Sequence, residues 1–264
     1  MPTARSPRTR SYDPARTNAA VTAQFALVAE AVRGLTEERL AAPAGLGEWT
    51  VRELAAHLAW VVDSLADAVD RPAPPKAELT AVRWPTATAP LATGIARAAR
   101  ETAVEGPLPE RFERAAGRLA TVLAEQPGSR LLGLRVGAMT LADFMVTRAV
   151  ELVVHTDDLN RATGLEIPFD RQALAACTRL LADALAVRAP GGSVEVRVPP
   201  FAVVQCVEGP RHTRGTPPNV VETDPLTWIR LATGRTNWAA ELAAARISAS
   251  GERADLAALL PLMG

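Results

Sequence analysis

T-L-A-D-F-M-V-T-R-A-V-E-L-V-V-H-T-D-D-L-N-R, residues 140 to 161, reads as a helix whose wall should be mostly buried. Thr140 is a suitable N-cap, and Asp143 places negative charge at the positive end of the helix. Leu141, Phe144, Met145, Val150, Val153 and Val154 cover much of the circumference. Arg148, Glu151, His155 and Asp158 fall between them in one band about 80° wide. A charged stripe on a buried helix is costly unless its members pair or bind something. Glu151 and His155, at i and i+4, project from one face as two metal ligands can.

Working outward, the preceding 139 residues are predominantly helical in pattern. Residues 1–12 read as a mobile tail. A first helix starts at Asp13-Pro14, a cap followed by proline at the first helical position, and runs to Gly34. Thr50-x-x-Glu53 is a capping box, and Leu54, His57, Leu58, Val61 and Leu65 then share one face, which turns His57 inward. That helix should stop at Arg71-Pro72. A Pro-rich crossover through Pro75 and Pro85 follows, then helical patterns at 89–104 and 110–125 and an extended connection at 131–136.

After Gly164 the pattern changes. Residues 170–188 are helical, and Val194, Val196 and Val198 alternate with Glu195 and Arg197 as in a half-buried strand. Further strands are expected at 201–207, 219–223 and 246–250. Helices are expected at 225–232, ended by Gly234, at 237–244, and from Arg253 onward. The expected fold is α+β, with a helical bundle over 13–164 and a smaller α/β domain over 165–264.

Composition narrows the function classes. Lys+Arg and Asp+Glu are equal at 29 each, so no net field favours nucleic acid or an anionic membrane. The basic start, M-P-T-A-R-S-P-R-T-R, has no apolar segment behind it, and the longest apolar run, around 55–62, is too short to span a bilayer. A cytoplasmic protein is expected. Cys177 and Cys206 form neither a disulfide framework nor a ligand spacing and read as core packing. His212, in a polar Pro/Gly loop, reads as solvated.

The remaining two histidines, His57 and His155, lie on core-facing stripes of two helices of the expected bundle. If those helices pack face to face, two imidazoles and Glu151 form a three-ligand set with a fourth position for water or substrate, a catalytic zinc arrangement. The competing reading is a buried salt-bridge network, with Arg148 satisfying Glu151 and His155 bonded to Asp158.

W-T-V-R-E-L-A-A-H-L-A, followed by R-A-V-E-L-V-V-H-T-D-D-L, resembles the mycothiol-dependent maleylpyruvate isomerase family, within the DinB-like four-helix-bundle superfamily. The resemblance implies zinc, or another divalent metal, on His57, Glu151 and His155. D-P-L-T-W-I-R-L-A-T-G-R and the ending I-S-A-S-G-E-R-A-D-L-A-A-L-L-P look like the sterol-carrier-like domain that accompanies such bundles. By the same resemblance Arg235, in the T-G-R segment, is the candidate catalytic arginine. Arg148 is the cofactor-binding candidate on the bundle wall. The implied activity is isomerisation or S-transfer that uses mycothiol or a similar thiol on a small electrophilic, carboxylate-bearing substrate. The other reading is a lipid or small-ligand carrier with a structural metal.

Overall fold

The computed structural model describes residues 10–88, 94, 106–209 and 218–263. Residues 1–9 of the expected tail, most of the pattern at 89–104 and His212 lie outside the described residues. The chain divides into two compact units. One holds the described residues of Tyr12–Ala81 and Pro90–Ala176, and the other those of Met1–Ser11, Val82–Ala89 and Cys177–Gly264.

The first unit contains helices α1 (Pro14–Arg33), α2 (Glu37–Ala41) and α3 (Val51–Val69). Short α4 (Trp84–Thr88) belongs to the second unit, and α5 (Leu108–Glu125) and α6 (Leu141–Thr163) return to the first. α1 and α3 each pack on both α5 and α6, so the four long helices form a bundle with α1 and α3 on one diagonal. Asp13 caps α1 by accepting from Arg16 N at 2.8 Å, with Pro14 as the first helical residue. The expected connection at 131–136 is instead part of a β-hairpin, β1 (Leu131–Leu134) and β2 (Gly137–Thr140), paired antiparallel from Leu131↔Thr140 to Leu134↔Gly137.

Gln24 is fully buried on α1 and satisfied on both ends of its amide. Its Nε2 donates to Thr156 Oγ1 at 3.1 Å and to Pro168 O at 3.3 Å, and its Oε1 accepts from Asp170 N at 2.7 Å. One side chain thus holds α6 and the segment after Gly164 against α1.

In the second unit, α7 (Arg171–Arg188) from Cys177 onward buries Cys177, Leu180, Leu181, Ala184 and Leu185. A four-stranded sheet follows in the order β4-β3-β5-β6, with β3 (Val194–Val198), β4 (Ala202–Cys206), β5 (Val220–Thr223) and β6 (Ile247–Ser250). β3 and β5 run parallel and the outer pairs antiparallel. The expected alternation holds in β3: Val194, Val196 and Val198 are fully buried. Helices α8 (Pro225–Ala232) and α9 (Trp238–Ala243) lie between β5 and β6 in sequence. Arg10, from the expected tail, donates through Nε to Asp183 at 3.0 Å and through Nη2 to Val203 O at 3.4 Å.

Gly251 is required by close approach: a Cβ there would sit 2.2 Å from Pro218 O. The helix expected from Arg253 is absent, and only a 3-10 turn forms at Ala257–Leu259. Asp255 Oδ1 accepts from Ala257 N at 2.8 Å, and Leu260 before Pro261 is extended, with ψ 148°. Too few residues remain between those two constraints to nucleate an α-helix.

Replacing Gln24 by leucine would leave the Asp170 N–H and the Pro168 carbonyl without that partner. The expected cost is about 1–3 kcal/mol, read as a lower denaturant midpoint at unchanged m-value. An unchanged midpoint would show that the amide contributes no net stability.

Candidate metal centre

Two local devices set the frame of the site helices. Thr50 N donates to Glu53 Oε2 at 2.6 Å while Glu53 N donates to Thr50 Oγ1 at 3.2 Å, a complete capping box that fixes where α3 starts. α6 starts from the hairpin: Asp143 N donates to Thr140 Oγ1 at 3.1 Å, and Leu141 N donates to Arg130 O at 2.8 Å. It ends at Gly164, whose φ of 68° gives the left-handed cap. With both starts fixed, His57 points inward from α3, and Arg148, Glu151, His155 and Asp158 lie along the inner side of α6.

The three expected ligands converge. Glu151 Oε2 lies 3.5 Å from His57 Nε2 and 3.3 Å from His155 Nε2. One ligand atom from each residue lies within 4.8 Å of the others, the one such cluster among the described residues. The two imidazoles meet edge to face, with ring centroids 4.9 Å apart. His57 is 3 % exposed, while the Glu151 and His155 side chains keep 14 % and 12 % of their surface.

These separations fit a metal better than hydrogen bonds. An N–H···O bond has its mode near 2.9–3.0 Å. A tetrahedral ion with ligand bonds of about 2.1 Å holds its ligand atoms about 3.4 Å apart. His57 Nδ1, unlike the Nε2 that faces Glu151, is buried without a hydrogen-bond partner.

His155 is oriented from behind. Its Nδ1 lies 2.9 Å from Asp158 Oδ2, and the Asp158 side chain is 1 % exposed. A carboxylate there selects the Nδ1–H tautomer and leaves the Nε2 lone pair directed at the cluster. This contact belongs equally to the salt-bridge reading of the sequence.

The electrostatics agree. Burial alone would raise the Glu151 carboxyl, but His155, His57 and the charge of Arg148 together hold it well below its ordinary value. Burial lowers His57 despite the opposing effect of Glu151. Burial also acts to lower His155, yet Asp158 and Glu151 outweigh it and raise the imidazole. The cluster is therefore built around an ionised carboxylate.

Arg148 is buried on the same wall, its guanidinium 4.3 Å from the Phe144 ring centroid. Its Nη1 donates to Val61 O at 3.3 Å, which also ties α6 to α3. Burial lowers its pKa against the charge of Glu151. Arg235 belongs to the second unit, just past α8. Gly234, with φ 72°, turns the chain there, Arg235 N donates to Arg230 O at 2.8 Å, and its Nη1 donates to Thr233 O at 2.8 Å. Neither cysteine forms a disulfide and both are buried, and burial pushes the Cys206 thiol up to about 11, which makes it unreactive at neutral pH.

Two neighbours of His57 were not singled out from the sequence. Trp49 and Trp60 flank its ring, with centroids 5.3 Å and 5.8 Å away. The available signals were position alone: Trp60 is one helical turn beyond His57, and Trp49 directly precedes the Thr50 cap. A cavity of about 320 Å³ between α1 and α5 is lined by Phe25, Ala29, Phe112 and Leu119 and by no residue of the triad.

Comparison with known proteins places this geometry. Two solved structures share the fold, each covering 92 % of this chain and 95 % of its own. One is a mutant form of the mycothiol-dependent maleylpyruvate isomerase, 12 % identical with a TM-score of 0.60. The other is a structure of the mycothiol-dependent maleylpyruvate isomerase, 15 % identical with a TM-score of 0.58. No curated protein matches the chain. Residues 170–262 match the family model described as a bacterial SCP ortholog. Residues 21–160, which contain all three clustered ligands, match the mycothiol maleylpyruvate isomerase N-terminal domain, and with more than half its length matched the chain belongs to that family of enzymes.

Proposed function

We propose that His57, Glu151 and His155 hold one zinc ion, or another divalent metal. We further propose that the chain uses this centre for mycothiol-dependent isomerisation or S-transfer on a small electrophilic substrate carrying a carboxylate. The carrying observation is the convergence of two imidazole nitrogens and one ionised carboxylate oxygen within 4.8 Å. Two nitrogens and one oxygen suit zinc, and three protein ligands leave a fourth position for an exogenous group. When bound, such an ion supplies the positive charge that keeps a thiol ionised near neutral pH, the state that adds to an activated double bond or displaces a leaving group.

The chain's own residues divide the remaining work. Asp158 holds the Nδ1 proton of His155 and keeps Nε2 free to ligate. Arg148 places a second positive charge beside Glu151, and in this reading it also attracts the cofactor's anionic sulfur. Arg235 grips the substrate carboxylate, a task for which its planar guanidinium offers two parallel donors. The turn that carries it suits the task, because Gly234 and the Arg230 carbonyl fix its backbone. No helix of the described residues is long and apolar enough to cross a membrane. Mycothiol and the substrate are the partners this reading needs, with a cytoplasmic location and no role for nucleic acid.

Metal analysis of the purified chain tests the first step. One divalent ion per chain is expected, with His57→Ala and Glu151→Gln each losing most of it, and full loading in either variant would remove the triad. Asp158→Ala should weaken metal binding about 10- to 100-fold while leaving the helix content unchanged. Unchanged affinity would make Asp158 a packing residue. Arg235→Lys should lower thiol-dependent turnover by about tenfold or more, equivalent to about 1.4 kcal/mol of transition-state binding, at constant metal content. Undiminished turnover would take Arg235 out of the reaction.

A further inference from the structure

His57 is almost completely covered, and two half-buried indoles stand beside it. This is unusual placement in a chain with 4 % aromatics, whose core is built from alanine, leucine and valine. Trp49 lies before the N-cap of α3, and Trp60 lies one turn after His57, so the pair brackets the ligand along the helix. Their partial exposure sets them apart from Trp228, which is 1 % exposed.

The backbone that carries each indole is also held in place. Trp49 N donates to Leu46 O at 3.1 Å, and Trp49 O accepts from Ala44 N at 2.7 Å. Pro43 and Thr50 form an isolated bridge across the base of this loop. Trp60 is fixed by α3 itself, between buried Ala59 and Val61. Two indoles on fixed backbone therefore stand beside one member of a polar, carboxylate-centred cluster.

A partly exposed indole face attracts a ligand with C–H groups on its faces and hydroxyls at its rim. Sugars and cyclitols are such ligands. Mycothiol is an N-acetylcysteine joined by an amide to an amino sugar that carries an inositol ring. Five bonds separate its sulfur from the sugar ring, roughly 6 Å in space at ordinary bond lengths. The indole centroids stand a comparable 5.3 Å and 5.8 Å from the centroid of the His57 ring.

We propose that Trp49 and Trp60 form the platform that binds the sugar end of the thiol cofactor, a subsite separate from the metal ligands. This inference rests on the metal-thiol reading above. It assigns cofactor selectivity to two side chains that stand beside His57 and are not among the three proposed ligands.

The test uses the full-length, metal-loaded chain and two probes, mycothiol and N-acetylcysteine, which share the thiol and differ in the sugars. Trp49→Leu and Trp60→Leu should each weaken mycothiol about tenfold in calorimetric titration. N-acetylcysteine affinity and metal content should stay within about twofold of the parent. Trp49→Phe and Trp60→Phe, which keep an aromatic face and serve if the leucine variants do not fold, should recover part of the loss. In the parent chain, mycothiol should shift the indole N–H resonances of both tryptophans and N-acetylcysteine should shift neither. Equal losses for the two thiols, or no loss, would overturn the platform while leaving the metal-thiol reading standing. A metal-loaded parent that binds neither thiol would remove both.

Discussion

The candidate site depends on accommodating one carboxylate, Glu151, largely covered on the inner side of α6 in a stripe with Arg148, His155 and Asp158. Burial opposes the charge, and the isolated anion would cost several kcal/mol there. Two imidazoles and a buried guanidinium reverse that balance. They can do so only if α3 and α6 present the right residues to each other. One residue of slip turns a side chain by about 100° around its helix axis. The capping box on α3 and the hairpin clamp on α6 therefore matter beyond their own small stabilisation, because they set the two helical frames on which the cluster depends. Arg148 joins both tasks: its charge faces Glu151 while its Nη1 bonds the Val61 carbonyl of α3.

This logic explains which features were legible in the sequence. A cap followed by a periodic run states where a helix starts, so α1, α3 and α6 could be placed closely, and the stripe on α6 then marked Glu151 and His155 as candidates. The β1–β2 hairpin escaped because its turn residues, Arg135 and Val136, carry none of the Asn-Gly or Asp-Gly chemistry that marks tight hairpins. The last segment misled in the opposite direction. A-D-L-A-A-L-L has helical periodicity, but Asp255 and Pro261 each impose a local geometry that leaves no room for a stable turn. Trp49 and Trp60 had the right positions but no periodic signature, because their relation to His57 combines a loop residue with a helix residue.

In the second unit Val194, Val196, Val198 and Cys206 are fully buried in the sheet, while Val203 on β4 stays exposed. The turns after α8 and α9 are closely hydrogen-bonded. Thr236 donates to Glu241 Oε1 at 2.5 Å, Arg246 pairs with the same carboxylate, and Asn237 caps α9. Thr236 directly follows Arg235, so the backbone carrying that arginine is fixed on both sides.

A donor set of two imidazoles and a carboxylate discriminates poorly among small electrophiles and among thiols. It sets charge and geometry at one point and reads nothing further from that point. Selectivity must therefore reside in residues that reach the rest of each ligand, and these are free to vary because the helical frames do not depend on them. Trp49 is such a residue. It sits outside α3, in a loop whose hydrogen bonds run through the backbone, so the loop can keep its shape while the side chain changes. His57 has no such freedom. Moving it by one position along α3 would carry its imidazole about 100° away from Glu151, and the buried carboxylate would lose a partner that offsets its burial.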